Sequence, residues 1–142
     1  MQGPDPEEMN HRAQFRTDAE GRYRFVTVRP LGYSIPTDGP VGEMLQALGR
    51  HGCRPAHLHF LLSAEGHQEL ATALYVAGDE HIESDAVFGV SRSLIVDLLP
   101  PDPKSAAPGL RRIAFDFALR PAGAAGSQRV GADPAAVSRA AE

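Results

Sequence analysis

The sequence predicts an all-β protein, a β-sandwich of about six or seven strands with one short helix and with function carried on loops. Three observations predict it. The 14 Gly and 12 Pro among 142 residues are too many for a helical bundle and suit short strands joined by turns. Several segments alternate apolar and polar residues with a period of two, most clearly over 112–120. A single segment has helical spacing. The length suits one domain, and 42 % hydrophobic residues supply a modest core.

Residues 1–11 are polar and rich in Pro and Glu, which reads as an extended lead-in. Asp18-Ala19-Glu20-Gly21 is a turn, with Gly21 free to take a positive φ. Over Arg22 to Val28, Tyr23, Phe25 and Thr27 share one face of a strand. Pro30 ends it, and the run to Pro40 is a Gly- and Pro-rich loop. Val41, Met44, Leu45 and Leu48 recur at i, i+3, i+4 and i+7, so a helix is expected over Val41 to Leu48, closed by Gly49 and Gly52.

Strands are expected at His57 to Ser63, at Leu70 to Ala77 and at Ser93 to Leu99, the first two joined by a turn at Ala64 to His67. The clearest is Arg112 to Arg120, where Ile113, Phe115, Phe117 and Leu119 form one dry face. The Ala-, Gly- and Pro-rich stretch 121–142 has no apolar stripe and is expected to be a disordered tail, leaving a domain of 1–120.

The formal net charge of −4, with no basic cluster, argues against a nucleic-acid partner. The single cysteine, Cys53, excludes internal disulfides, Cys-rich zinc sites and iron–sulfur clusters. Without a signal-like segment or an apolar run of about 18 residues, no membrane association and a cytoplasmic location are the expectations.

The densest chemistry lies in Arg54-Pro55-Ala56-His57-Leu58-His59-Phe60. On a strand, His57 and His59 project from one face, and two neutral imidazoles side by side suit one metal ion. The bland alternative is two solvated or hydrogen-bonded histidines. Tyr33 lies in a Pro- and Gly-rich loop, where a tyrosine is ordinarily a packing anchor. Beside a His-x-His pair its phenol becomes a candidate anionic ligand, a hard donor that favours Fe(III) over Zn(II) or Cu(I). Arg54 offers a permanent positive charge for an anionic substrate, against the bland reading of a surface ion pair. His51 and Cys53 read as loop residues near the site, not ligands. His11, His67 and His81 read as solvated, and the acidic run around Asp79, Glu80, Glu83 and Asp85 reads as a turn.

These residues carry a resemblance. Phe15-Arg16-Thr17-Asp18-Ala19-Glu20-Gly21-Arg22-Tyr23, Gly32-Tyr33-Ser34-Ile35-Pro36-Thr37-Asp38-Gly39-Pro40 and Gly49-Arg50-His51-Gly52-Cys53-Arg54-Pro55-Ala56-His57-Leu58-His59-Phe60 resemble intradiol aromatic ring-cleavage dioxygenases. Ala77-Gly78-Asp79, Ser84-Asp85-Ala86-Val87-Phe88 and Phe115-Asp116-Phe117 follow in family order. Ile35 and the run from Asp38 to Gly42 are closer to the hydroxyquinol and chlorocatechol branch. The resemblance implies a β-sandwich holding one non-haem Fe(III), with Tyr33, His57 and His59 as metal ligands and Arg54 holding charge on the substrate. It implies insertion of O2 between the two hydroxylated carbons of an aromatic diol, hydroxyquinol or a substituted catechol, to give a muconate- or maleylacetate-type diacid. A homodimer is the assembly it suggests.

Two departures accompany the resemblance. The family's first tyrosine ligand aligns upstream of Met1, so Tyr33 is left as the matching tyrosinate and a weak or inactive dioxygenase with an incomplete iron site is expected. Residues 1–11 are then expected along the sandwich edge, with Met1 near the iron. Relatives also carry Thr-Gln where this chain reads Thr72-Ala73-Leu74. Three readings stand: an intradiol dioxygenase, a truncated β-sandwich relative acting as a binding module or fragment, and a zinc protein using His57 and His59.

Overall fold

The computed structural model describes residues 11–101 and 109–123. The expectations for the lead-in 1–10 and for the tail beyond residue 123 lie outside them. The described chain is strand-rich with one helix. Its strands are β1 (Tyr33–Ser34), β2 (Cys53–Arg54), β3 (His57–Leu62), β4 (Leu70–Val76) and β5 (Ile95–Val96), and its helix is α1 (Pro40–Ala47). β1 and β2 form a two-stranded antiparallel pair, and β3, β4 and β5 form a three-stranded sheet in that order. β4 pairs antiparallel with β3 and parallel with β5.

The β3–β4 hairpin follows from its sequence. Gly66 takes a φ of 73° in the turn, and His67 N–H donates to the Ala64 carbonyl at 3.1 Å. The core gathers on β4, on β5 and on the residue just before β5, where Ala73, Leu74, Tyr75, Leu94 and Val96 are buried, with Phe60, Ile113, Phe115 and Phe117 packed against them. A parallel β4–β5 pairing requires a long connection. That connection, residues 77–94, folds back over the corner that joins β2 to β3: Ala86 N–H donates to the Cys53 carbonyl at 3.0 Å. This fold-back positions the site.

α1 begins at Pro40, which fits a first helical turn, and ends before Gly49 at a φ of 63°. Of its apolar stripe, Leu45 is buried, while Val41, Met44 and Leu48 are exposed. Gly42 sits against the Thr37 backbone, where no side chain would fit.

Three expected strands differ. Residues 22–28 and 113–120 are extended without ladder pairing, and Ser93 to Leu99 contracts to a 3-10 turn at Arg92–Leu94 followed by β5. Side-chain alternation nevertheless holds: Ile113, Phe115, Phe117 and Leu119 are half-buried and their neighbours exposed. The aromatic stripe is satisfied by ring contacts, with Phe60 to Phe117 centroids 4.8 Å apart and Tyr23 to Phe117 6.0 Å. Alternation fixes which face is dry, but a ladder needs a neighbouring backbone in register. Among the described residues, backbone pairing along this stretch is limited to isolated bridges, Leu99 with Arg112 and His67 with Pro121. No helix among the described residues is long and apolar enough to cross a membrane.

Candidate functional site

Two short sequence devices bring Tyr33, Arg54, His57 and His59 together. The β1–β2 register sets Tyr33 opposite Arg54. Gly32 makes this approach possible, since a Cβ there would lie 2.9 Å from the Arg54 carbonyl oxygen. The Pro55-Ala56 corner then turns the chain into β3. It is pinned by Ala56 N–H donating to Asp79 Oδ2 at 3.0 Å and by Val76 N–H donating to the Ala56 carbonyl at 3.0 Å.

On β3, His57 and His59 share a face, and their rings meet edge to face with centroids 4.7 Å apart. His57 Nδ1 lies 2.7 Å from the Pro55 carbonyl oxygen. A carbonyl only accepts, so this contact places the proton on Nδ1 and the lone pair on Nε2. His57 Nε2 lies 3.1 Å from His59 Nε2. That is the separation of two neighbouring ligands on one ion bound at about 2.0–2.1 Å from each nitrogen. Burial, followed by the charges of His57 and Arg54, holds His59 below its usual pKa and favours its neutral, ligating form. Tyr33 stacks obliquely on His57, centroids 5.6 Å apart, and is 41 % exposed. Two imidazole nitrogens and a phenol oxygen thus form a donor set that fits a hard-to-borderline metal.

Arg54 is the centre of the cluster's charge. Its Nη1 lies 3.3 Å from His57 Nε2 and 3.5 Å from the Tyr33 hydroxyl, and its Nη2 donates to the Tyr75 hydroxyl at 3.4 Å. Its Nε donates to Asp85 Oδ1 at 3.1 Å. Burial opposes the cation, but the Asp85 hydrogen bond, with Tyr33 adding to it, raises the Arg54 pKa further. The Arg54 ion pair is therefore internal, not the surface pair of the bland reading. His57, His59 and Tyr75 are among the residues lining an open cleft of about 1810 Å³. The cleft leaves room for an aromatic ring.

Known proteins give this geometry its context. The family model described as Dioxygenase matches residues 1–121. The chain is 46 % identical over 110 residues to the 6-chlorohydroxyquinol 1,2-dioxygenase of Cupriavidus pinatubonensis, covering 78 % of this chain and 38 % of that one. The chain belongs to the intradiol dioxygenase family. A second family member, the hydroxyquinol 1,2-dioxygenase of a Rhizobium species, is 51 % identical over 90 residues, covering 63 % of this chain and 30 % of that protein. The crystal structure of hydroxyquinol 1,2-dioxygenase from Pseudomonas putida superposes with a TM-score of 0.60 at 42 % identity, over 66 % of this chain and 35 % of that one. The chain spans well under half the length of these intradiol dioxygenases.

Within this family framework, sequence reasoning missed four contributors. Asp85, expected in a turn, is buried and fixes Arg54. Tyr75 lies opposite His57 in the β3–β4 register, with ring centroids 5.6 Å apart. Gly89 leaves room for the Tyr75 hydroxyl, since a Cβ there would sit 2.5 Å from it. Asp79 braces the corner before His57. Asp79 and Asp85 lie in stretches that carry the family resemblance, which assigns neither a role, while Tyr75 and Gly89 lie in none, and strand register alone could have pointed to Tyr75. Ala73 lies opposite His59, so a methyl group stands where a longer polar side chain would reach the imidazole. His81, expected to be solvated, is instead part-buried against His51, with centroids 4.9 Å apart.

Proposed function

We propose that the chain is the iron-holding β-sandwich of an intradiol dioxygenase, with Tyr33, His57 and His59 holding Fe(III). Its substrate class is a ring bearing adjacent hydroxyls, hydroxyquinol or a substituted catechol, which it opens with O2 between the two hydroxylated carbons to a muconate- or maleylacetate-type diacid. The observation that carries the reading is the 3.1 Å approach of two imidazole Nε2 atoms with the His57 Nδ1 proton tied to Pro55. Family membership and the named activities of the relatives support it.

Bound Fe(III) would supply Lewis-acid activation of the deprotonated diol toward O2. The chain's own residues do the rest. His57 and His59 present neutral nitrogens on one strand face. Tyr33 contributes a phenolate, negative charge that favours the ferric state. Arg54, locked at Nε by Asp85, keeps Nη1 beside the Tyr33 oxygen and His57, where a dianionic diol would need a fixed positive group.

The test is reconstitution of the chain with Fe(III). A visible tyrosinate charge-transfer band, lost in His57→Gln, together with O2 uptake and diacid formation from hydroxyquinol or catechol, supports the reading. A colourless protein that retains no iron overturns it.

A second reading, a binding module without ring-cleavage activity, is favoured by one observation. Among the described tyrosines, Tyr23 donates to the Phe115 carbonyl at 2.6 Å and Tyr75 is engaged by Arg54, which leaves Tyr33 as the phenol beside the histidines. Iron retained with a charge-transfer band but without turnover of any diol distinguishes it.

A further inference from the structure

We propose that His51, Cys53 and His81 form a second metal site, for a thiolate-seeking divalent cation of the zinc class. One ligating atom from each of these residues lies within 4.8 Å of the others. Successive residues of a strand point to opposite faces. Arg54 faces Tyr33 and His57, so Cys53 projects away from that cluster and the two sites do not share a ligand.

The donor set selects the metal. One soft thiolate and two imidazoles suit Zn(II), whereas oxygen-seeking ions such as Mg(II) or Ca(II) find no carboxylate among the three. His81 Nε2 lies 3.5 Å from Glu80 Oε1, which leaves Nδ1 for a metal and supplies the carboxylate partner that a ligating imidazole ordinarily has. His51 Nδ1 accepts the Cys53 N–H at 3.1 Å, and its Nε2 lies 2.9 Å from Ser84 Oγ. Binding exchanges one of these two hydrogen bonds for a metal–nitrogen bond. The Cys53 thiol loses its proton to solvent as the sulfur–metal bond forms. Three protein ligands leave a fourth position for water, on the side where His51 is exposed.

The surroundings are built to hold these groups in place. Arg50 Nη2 donates to the Ser84 and Asp85 carbonyls at 3.2 and 3.0 Å, and Ala86 N–H donates to the Cys53 carbonyl at 3.0 Å. His81 N–H donates to Asp79 Oδ1 at 3.0 Å. Residues 50–53 and 79–86 are therefore tied together before any metal arrives. None of the three side chains is used by the proposed ring cleavage.

The experiment uses Co(II) and Zn(II) as probes on the 142-residue chain carrying His57→Gln and His59→Gln, which removes the first cluster. The expected result is one Co(II) per chain with a near-ultraviolet thiolate charge-transfer band, displaced by Zn(II). Adding Cys53→Ser abolishes the band, and either Cys53→Ser or His81→Gln weakens Zn(II) binding by more than about tenfold, with circular dichroism unchanged. Absence of a thiolate band in the parent, or Zn(II) affinity unaltered by Cys53→Ser, overturns the proposal. Because the readout is metal binding without the first cluster, it is independent of whether the chain cleaves aromatic rings.

Discussion

Asp85 Oδ1 accepts the Arg54 Nε–H at 3.1 Å, with 2 % of the Asp85 side chain and 11 % of the Arg54 side chain exposed. The same carboxylate accepts Gly89 N–H at 2.9 Å and Val87 N–H at 3.4 Å, so the loop that crosses from β4 to β5 is knotted around it. One residue therefore fixes both the loop and the guanidinium that reaches Tyr33 and His57.

Removing one partner of a buried pair leaves the other charge uncompensated. Asp85→Asn keeps the shape but strips the charge from Arg54, and the expected loss of stability is about 3 kcal/mol. Urea unfolding followed by fluorescence or circular dichroism measures it. A change below about 0.5 kcal/mol, the level of an exposed pair, would show that the pair is solvated in solution.

The pH dependence has a definite sign. Burial alone would raise the Asp85 pKa, but the hydrogen bonds from Arg54, Gly89 and Val87 outweigh it and hold the carboxyl below its ordinary value of 3.8. A group with a depressed folded pKa stabilises the fold above its unfolded pKa, and that contribution fades as pH falls through the folded value. The stability gap between the parent and Asp85→Asn is therefore constant from neutral pH to about pH 5 and narrows below about pH 4. Denaturation midpoints measured for both proteins from pH 7 to pH 3 check this. A gap that widens on acidification contradicts the assignment.

Arg54 separates binding from chemistry. Arg54→Lys keeps a charge near Asp85 but loses the fork that spans Tyr33, His57 and Tyr75. Turnover of a diol by the iron-loaded chain is expected to fall about 10²–10³-fold, the cost typical of losing one fixed donor to a developing anion. Iron content, measured by ferrozine assay, stays within twofold of the parent. Parallel loss of iron and activity would make Arg54 a support for the histidines instead.

The parts of this site legible in the sequence are those carried by local period. His57 and His59 share a face because β3 forms where alternation places it, and the turn at Asp18 to Gly21 closes with Gly21 at a φ of 78°. Arg112 to Arg120 shows the limit of the same reasoning, since its dry face was legible and its lack of a ladder was not. The partnership of Asp85 with Arg54 was illegible for a different reason. Asp85 lies 31 residues from Arg54, inside a segment whose local signals are those of a turn. Only the parallel β4–β5 pairing, with its obligatory long connection, brings that segment over the β2–β3 corner. His81 reaches His51 by the same route.

The remaining prediction concerns which phenol colours the iron protein. Three tyrosines are present. Burial raises the Tyr23 pKa, and its hydroxyl is committed to the Phe115 carbonyl. Burial likewise raises the Tyr75 pKa against the opposing effect of Arg54, so both phenols resist ionisation. Tyr33 alone stands exposed beside His57, where a bound ferric ion would displace its proton to solvent. Tyr33→Phe is therefore expected to remove the entire tyrosinate charge-transfer band from the iron-loaded 142-residue chain, while Tyr23→Phe and Tyr75→Phe retain it. Losing that negative donor also weakens the preference for Fe(III), so the reduction potential of any iron still held rises in Tyr33→Phe. Resonance Raman excitation in the visible band, with its tyrosinate ring modes, reads the ligand directly. A band that survives Tyr33→Phe and disappears in Tyr75→Phe would move the phenolate to β4, across from His57, and would make Tyr33 a ring neighbour of His57 instead of a ligand.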